Sequence, residues 1–176
     1  MSDEIFVREC SPTLAGMKAG NMFSCNFDSY EELQNYVNEL NKILNPKGVQ
    51  VIVLRYKNGF SLIGVFRIKA LKAMLKNPLA RKLLRSLGYK SLDLRSCLLH
   101  LLVRFQNYEE FPHEVGLFLG YPPEDVQGFI ENNSNGQKCI GIWKVYGDEE
   151  SAQKTFAKYR KCTRVFCLFL TKSRKL

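Results

Sequence analysis

Hydrophobic and polar positions alternate with two different periods along the chain, and the switches between them mark its elements. Ile5-Phe-Val7 reads as a short strand. Ser11 followed by Pro12 is a helix-start signal, because a serine oxygen accepts from an early N–H and proline needs no donor at the first helical position. A helix is therefore predicted onward from Ser11. Its Ala15, Gly16, Ala19 and Gly20 would form a small-residue stripe open to close approach. A second helix is predicted over 30–44, capped by Ser29, because Leu33, Val37, Leu40 and Leu44 recur on one face. Pro46-Lys-Gly48 ends it. Residues 49–56 and 60–67 are β-branched and aromatic runs joined at Lys57-Asn-Gly59, which predicts a hairpin. The near-continuous Val51-Ile-Val-Leu54 predicts a strand covered on both faces.

The second half is mostly of helical period. Residues 68–76 and 78–87 predict helices, interrupted at Asn77-Pro78 and stopped near Gly88. Ser91 is the expected cap of a helix over 92–106, with Leu94, Leu98, Leu101, Leu102 and Phe105 facing inward. Phe111 to Glu131 then reads as two short helices around Gly120-Tyr-Pro122. Asn132-Asn-Ser-Asn-Gly136 predicts a turn. Residues 138–146 alternate as one strand carrying the only tryptophan, Trp143, and a last helix starts near Asp148 and runs to about 170. These elements define an α+β fold, a small and mainly antiparallel sheet packed by several helices. No composition shift divides the chain, so residues 1–176 are expected to form a single domain.

With 176 residues and 45% hydrophobic content, the chain can bury a sizeable core. Its longest apolar runs, such as Cys97-Leu-Leu-His-Leu-Leu-Val103, fall far short of a membrane span. The acidic Met1-Ser-Asp-Glu4 lacks the layout of a secretory signal, which points to a cytoplasmic protein. Six cysteines are scattered without a CxxC pair, so free thiols are expected and no metal site is. There is no P-loop or dinucleotide fingerprint, and no cofactor is expected.

Net charge is +9, and its distribution says more than its size. Residues 59–104 carry ten basic residues and one acid, Asp93, and residues 151–176 carry eight basic residues and no acid. Between them, residues 105–150 carry two basic and nine acidic residues. Such blocks can neutralise one another, or the basic ones can attract an anionic partner.

Four segments carry a family resemblance: Cys10-Ser-Pro-Thr-Leu-Ala-Gly-Met-Lys18, the run from Phe111-Pro-His-Glu-Val-Gly to Tyr121-Pro-Pro-Glu-Asp-Val126, Trp143-Lys-Val-Tyr-Gly147, and Tyr159-Arg-Lys-Cys-Thr163. With these the chain resembles an uncharacterised family, a domain of unknown function found in anaerobic Gram-positive bacteria. Phe66-Arg-Ile-Lys69 departs from the Tyr-Arg-Pro-Lys type of segment expected there. The resemblance implies a bacterial cytosolic protein and supplies no activity, cofactor or catalytic residue.

Three chemistries remain open. Cys10, placed just before a helix start, would gain thiolate character from the macrodipole, and His113 with Glu114 could act as base and orienting acid of a thiol-dependent enzyme. The plain reading of the same residues is a buried cysteine and a helix-capping histidine, and His100 reads as half-buried packing. Val115, Phe118 and Leu119, then Gly120, then Val126, Phe129 and Ile130 match a helix-turn-helix. Its second helix would offer Glu124, Asp125, Gln127 and Glu131 to a groove, and no lysine or arginine lies between Gln106 and Gln137. That is a poor nucleic-acid reader and a better packed corner.

Lys72, Lys76, Arg81, Lys82 and Arg85, and Lys158 and Lys161 on the last helix, are the leading site residues. They suit docking of an acidic protein, such as a flavodoxin-type electron carrier, ahead of nucleic acid or anionic lipid.

Overall fold

The computed structural model describes residues 3–107, 110–132 and 135–173. Met1 and Ser2 of the acidic opening, and Asn133 and Ser134 of the expected turn, lie outside the described residues. The backbone gathers into two compact units, Met1–Ile68 with Lys158–Leu176, and Lys69–Ala157.

The first unit is a three-stranded antiparallel sheet with helices packed on it. Its elements are α1 (Asp3–Leu14), β1 (Gly20–Asn26), α2 (Tyr30–Leu44), a 3-10 turn at Asn45–Lys47, β2 (Val49–Lys57) and β3 (Phe60–Arg67). The strand order is β1-β3-β2. The hairpin is as expected: Asn58 and Gly59 both take positive φ (52° and 80°), the geometry of a two-residue turn that matches strand twist. Ser29 caps α2 as expected, accepting from the Glu32 N–H at 3.1 Å. β2 is not evenly covered on both faces. The register shifts between Val53 and Arg55, so the bulge turns Leu54 into the interior while Ile52 and Val53 stay half-buried. The outer edge of β2 is blunted by Asn41, whose amide bonds both the N–H (2.8 Å) and the C=O (2.9 Å) of Val51.

The largest correction falls at the N-terminal end. Ile5-Phe-Val7 is helix rather than strand, and Ser11-Pro12 lies in the last turn of α1 instead of opening a helix. Phe6 and Cys10, four residues apart, form the buried stripe of α1. Phe6 meets Phe23 of β1 edge-on at 6.0 Å, and both helices, α1 and α2, join one apolar cluster with Val51, Ile63 and Val65. That burial outweighs the local start signal. The Ser11 hydroxyl donates back to the Val7 carbonyl. Ala15–Gly20 is accordingly turn and strand start, and the small residues there form no helical stripe. Arg67 at the end of β3 closes α1: its Nε and Nη2 donate to the Thr13 and Leu14 carbonyls, each at 2.5 Å, where a helix leaves acceptors unpaired.

The second unit is mainly helical: α3 (Ile68–Met74, all but its first residue), α4 (Pro78–Ser86), α5 (Leu94–Asn107), α6 (Val115–Leu119) and α7 (Pro123–Glu131). They are followed by β4 (Cys139–Ile140), β5 (Lys144–Val145) and the opening turns of α8 (Glu149–Ser173). The rest of α8 belongs to the first unit. Asp93, not Ser91, caps α5, accepting from the Ser96 N–H at 2.9 Å, with the Ser91 hydroxyl bonded to its other oxygen at 2.6 Å. These bonds hold the Asp93 carboxyl well below the usual carboxylate range. The expected strand 138–146 is instead a tight antiparallel hairpin, reversing through Gly141–Trp143. A Cβ at Gly141 would stand 2.2 Å from the Phe156 ring, so only glycine fits that reversal. The fold class stands as α+β, with a small antiparallel sheet packed by helices. No helix among the described residues is long and apolar enough to cross a membrane.

Candidate functional site

Cys10 is fully buried within α1, in the middle of a helical turn and not ahead of a helix start. The dipole argument for an activated thiolate therefore does not hold in this fold. Burial first, and Glu9 second, push its thiol far above the ordinary range, with Lys18 acting the other way. Lys18 is itself buried, and that desolvation lowers it to about 8. His113 is exposed, edge-on to Phe129 at 4.8 Å and 5.7 Å from Phe111. Cys10 belongs to the first unit and His113 to the second.

Glu114 has another commitment. It is 1% exposed and accepts from the Tyr89 hydroxyl at 3.1 Å and from Arg104 Nε at 2.8 Å. A carboxylate so paired carries the joint between α5 and α6. The His100 ring packs tilted against the Tyr89 ring, 4.1 Å between centroids, and is half-buried.

The helix-turn-helix candidate is a packed corner. All five residues of α6 are buried, and Gly120 closes the helix at φ 83°. In α7, Asp125 points inward and is 3% exposed. One of its oxygens accepts from the Trp143 indole at 2.7 Å, and the other from the Tyr146 and Gly147 N–H groups, both at 2.7 Å. Trp143 is stacked on Tyr121 (4.9 Å) and meets Phe156 edge-on (4.5 Å). The acids expected on a reading helix are thus partly spent on internal bonding.

The basic residues remain on the surface. Lys72 on α3, Arg81, Lys82 and Arg85 on α4, and Lys76 in the turn between them are exposed, while the apolar Leu71, Leu75, Ala80, Leu83 and Leu84 of this stretch are buried. Arg81 and Arg85 are partly engaged, donating to the Leu75 and Lys90 carbonyls at 3.0 and 2.6 Å. On α8 the pattern differs. Lys158 and Lys161 border a shallow groove of about 250 Å³ whose lining is almost entirely apolar and includes Met17, Cys162, Val165 and Phe166. Among the described residues neither lysine forms an ion pair. Burial raises the Cys162 thiol.

The groove is assembled within the first unit. The α1 terminus held by Arg67 turns through Gly16 (φ 77°), and the Tyr159 hydroxyl donates to the Met17 carbonyl at 3.2 Å, which fixes Met17 against α8. Sequence reasoning found the lysines and missed the apolar residues. Cys162, Val165 and Phe166 do follow the three- and four-residue spacing of a helix face, but Met17 reaches them only through the fold. No group of three or more potential metal-binding side chains occurs among the described residues.

Two sequence motifs thus turn out to be joined inside one α+β corner, and a third supplies the groove. The chain belongs to the family described as Protein of unknown function (DUF3793), which it matches over residues 6–176. No curated protein and no solved structure matches it.

Proposed function

We propose that the chain is a binding module whose α8 groove docks an acidic protein partner. The observation that carries this reading is the pairing of an exposed apolar floor with a one-signed rim. Val165, which lines the groove, and Leu168, one turn further on, are 40% and 52% exposed on α8, whose residues 151–173 contain six basic residues and no acid. Exposed apolar area ringed by charge is typical of an interaction surface, with burial supplying affinity and charge supplying steering and orientation. A symmetric pairing of two α8 helices would set lysine against lysine, which disfavours a second copy of the same face as the occupant.

The α3–α4 cations have a different part in this reading. Their apolar neighbours are already buried, so they offer long-range attraction without a seat. No aromatic side chain is interleaved with the α3–α4 cations, which disfavours nucleic acid on that surface. A concave floor that accepts a protruding side chain also suits a protein surface better than a flat lipid surface.

The test is capture with the purified full chain at low and high salt, alongside the double variant K158E/K161E, checked for folding by circular dichroism. Acidic proteins should be retained at low salt, released at high salt and lost from the variant. Equal capture by both forms across the salt range, or capture of anionic vesicles in place of proteins, would count against the reading.

A further inference from the structure

We infer that the groove is built for one large apolar anchor residue on a helical segment of the partner, with carboxylates three or four positions apart on one flank of that anchor. The inference rests on the docking reading above and deepens it. Three observations support it, and each constrains the partner's chemistry.

The first is size. At about 250 Å³ the groove lies below the roughly 300–1,000 Å³ typical of sites that enclose a small molecule. It has room for one bulky side chain and leaves the rest of any occupant outside. The second is lining. Met17, Cys162, Val165 and Phe166 present sulfur and hydrocarbon, and thioether and thiol groups adapt to aromatic or aliphatic guests alike. Nothing in that floor rewards a polar guest.

The third is the spacing of the rim. Lys158 and Lys161, three positions apart and both exposed, form a short row at the edge of the floor with a rise of about 4.5 Å between them. Carboxylates three or four residues apart on a helix are about 5–6 Å apart, and they match that row. An extended strand places same-side residues nearly 7 Å apart and fits it less well. The partner is thus a helix laid along α8, with its anchor inserted between Met17 and Val165. This is the helix-in-groove mode with the charge on one flank.

The experiment is selection from a random peptide-display library on the immobilised full chain, followed by affinity measurement of the enriched peptides. Enriched sequences should carry one Phe, Leu, Met or Trp with Asp or Glu three or four residues apart. They should bind about tenfold or more weakly to Cys162→Trp, which fills the groove and leaves every charge in place. The milder Val165→Ala should weaken them severalfold even if the tryptophan variant folds poorly. Acidic peptides without an anchor, or with unchanged affinity for both groove variants, would overturn the anchor inference and leave the docking reading intact. Enrichment without acidic bias, or no enrichment, would overturn both.

Discussion

The Trp143 indole N–H donates to the buried Asp125 carboxylate at 2.7 Å, linking the end of the Pro-Pro-Glu-Asp-Val segment to the Trp-Lys-Val-Tyr-Gly segment. The same carboxylate receives the N–H groups of Tyr146 and Gly147. Three donors converge on one residue from a hairpin whose two strands are only two residues each. Such a hairpin cannot hold itself in water, so the Asp125 carboxylate is what pins it to α7. Part of each of two conspicuous motifs thus has an architectural role.

Replacing Asp125 by Ala should destabilise the second unit by about 3 kcal/mol or more, because it strands an indole and two backbone donors in the interior. Asp125→Asn should fall between, retaining one acceptor. Trp143 is the only tryptophan, so its fluorescence in a denaturant titration reports this unit directly. An unchanged midpoint for Asp125→Ala would contradict the assignment.

Glu114 should behave as a structural residue. Removing it as Glu114→Ala leaves Arg104 and Tyr89 without their shared acceptor, and a loss of about 3–5 kcal/mol is expected for a broken buried pair. Arg104→Ala should cost a similar amount, and the double variant less than the two together, which a double-mutant cycle measures. Additive losses would show that the two side chains are not coupled.

Buried Lys18 gives stability a pH dependence of unusual sign. Its folded value is lowered to about 8 from 10.5, so above about pH 8 the unfolded chain holds a proton that the folded chain has released. Stability should therefore rise with pH from about 8, by up to about 1.4 kcal/mol per pH unit. Cys10 works in the opposite direction from about pH 9, its ordinary value, because its folded thiol resists ionisation and the unfolded one does not. Cys97, raised to about 11, works in the same direction as Cys10, so a rise between about pH 8 and 9 that then turns into a fall is expected, and the rise should vanish in Lys18→Met. Chemical denaturation at a series of pH values checks it; a flat profile in the natural chain would contradict the burial of a titrating lysine.

How much of this was legible in the sequence depends on how far apart the deciding residues lie. The hairpin at Asn58-Gly59 and the Ser29 cap were readable because turn and cap chemistry is local. α1 was misread because Ser11-Pro12 is a local start signal, whereas the Phe6–Cys10 stripe acquires meaning only against Phe23 and the sheet. Residues 138–146 alternate like one strand, and nothing nearby reveals that Phe156 forces the reversal at Gly141. In sequence Glu114 reads as an orienting acid for His113 and Asp125 as a carboxylate offered to a groove, since their partners, Tyr89, Arg104 and Trp143, are 10 to 25 positions away. The cations of α8 were visible at once. The groove they border needed Met17, which only the fold delivers.

Thiol chemistry separates the cysteines by burial. Cys10 and Cys97 are both fully buried, with Cys97 raised to about 11 by burial and by Asp93. Both should resist alkylation at neutral pH until the chain unfolds, while the half-buried Cys25, Cys139, Cys162 and Cys167 are modified first. Competitive labelling with peptide mapping gives the order. Early labelling of Cys10 at neutral pH would restore the case for a reactive thiol.

The docking claim is tested most directly by using Cys162 as a footprint, since its side chain lines the groove itself. Its alkylation rate is measured in the full chain, with and without the acidic fraction of the source proteome, at low and at high salt. The expected result is slowed labelling of Cys162 at low salt, recovery at high salt, and an unchanged rate at Cys139. Equal Cys162 rates under all four conditions, or protection by anionic vesicles and not by acidic protein, would contradict an acidic protein docking on α8.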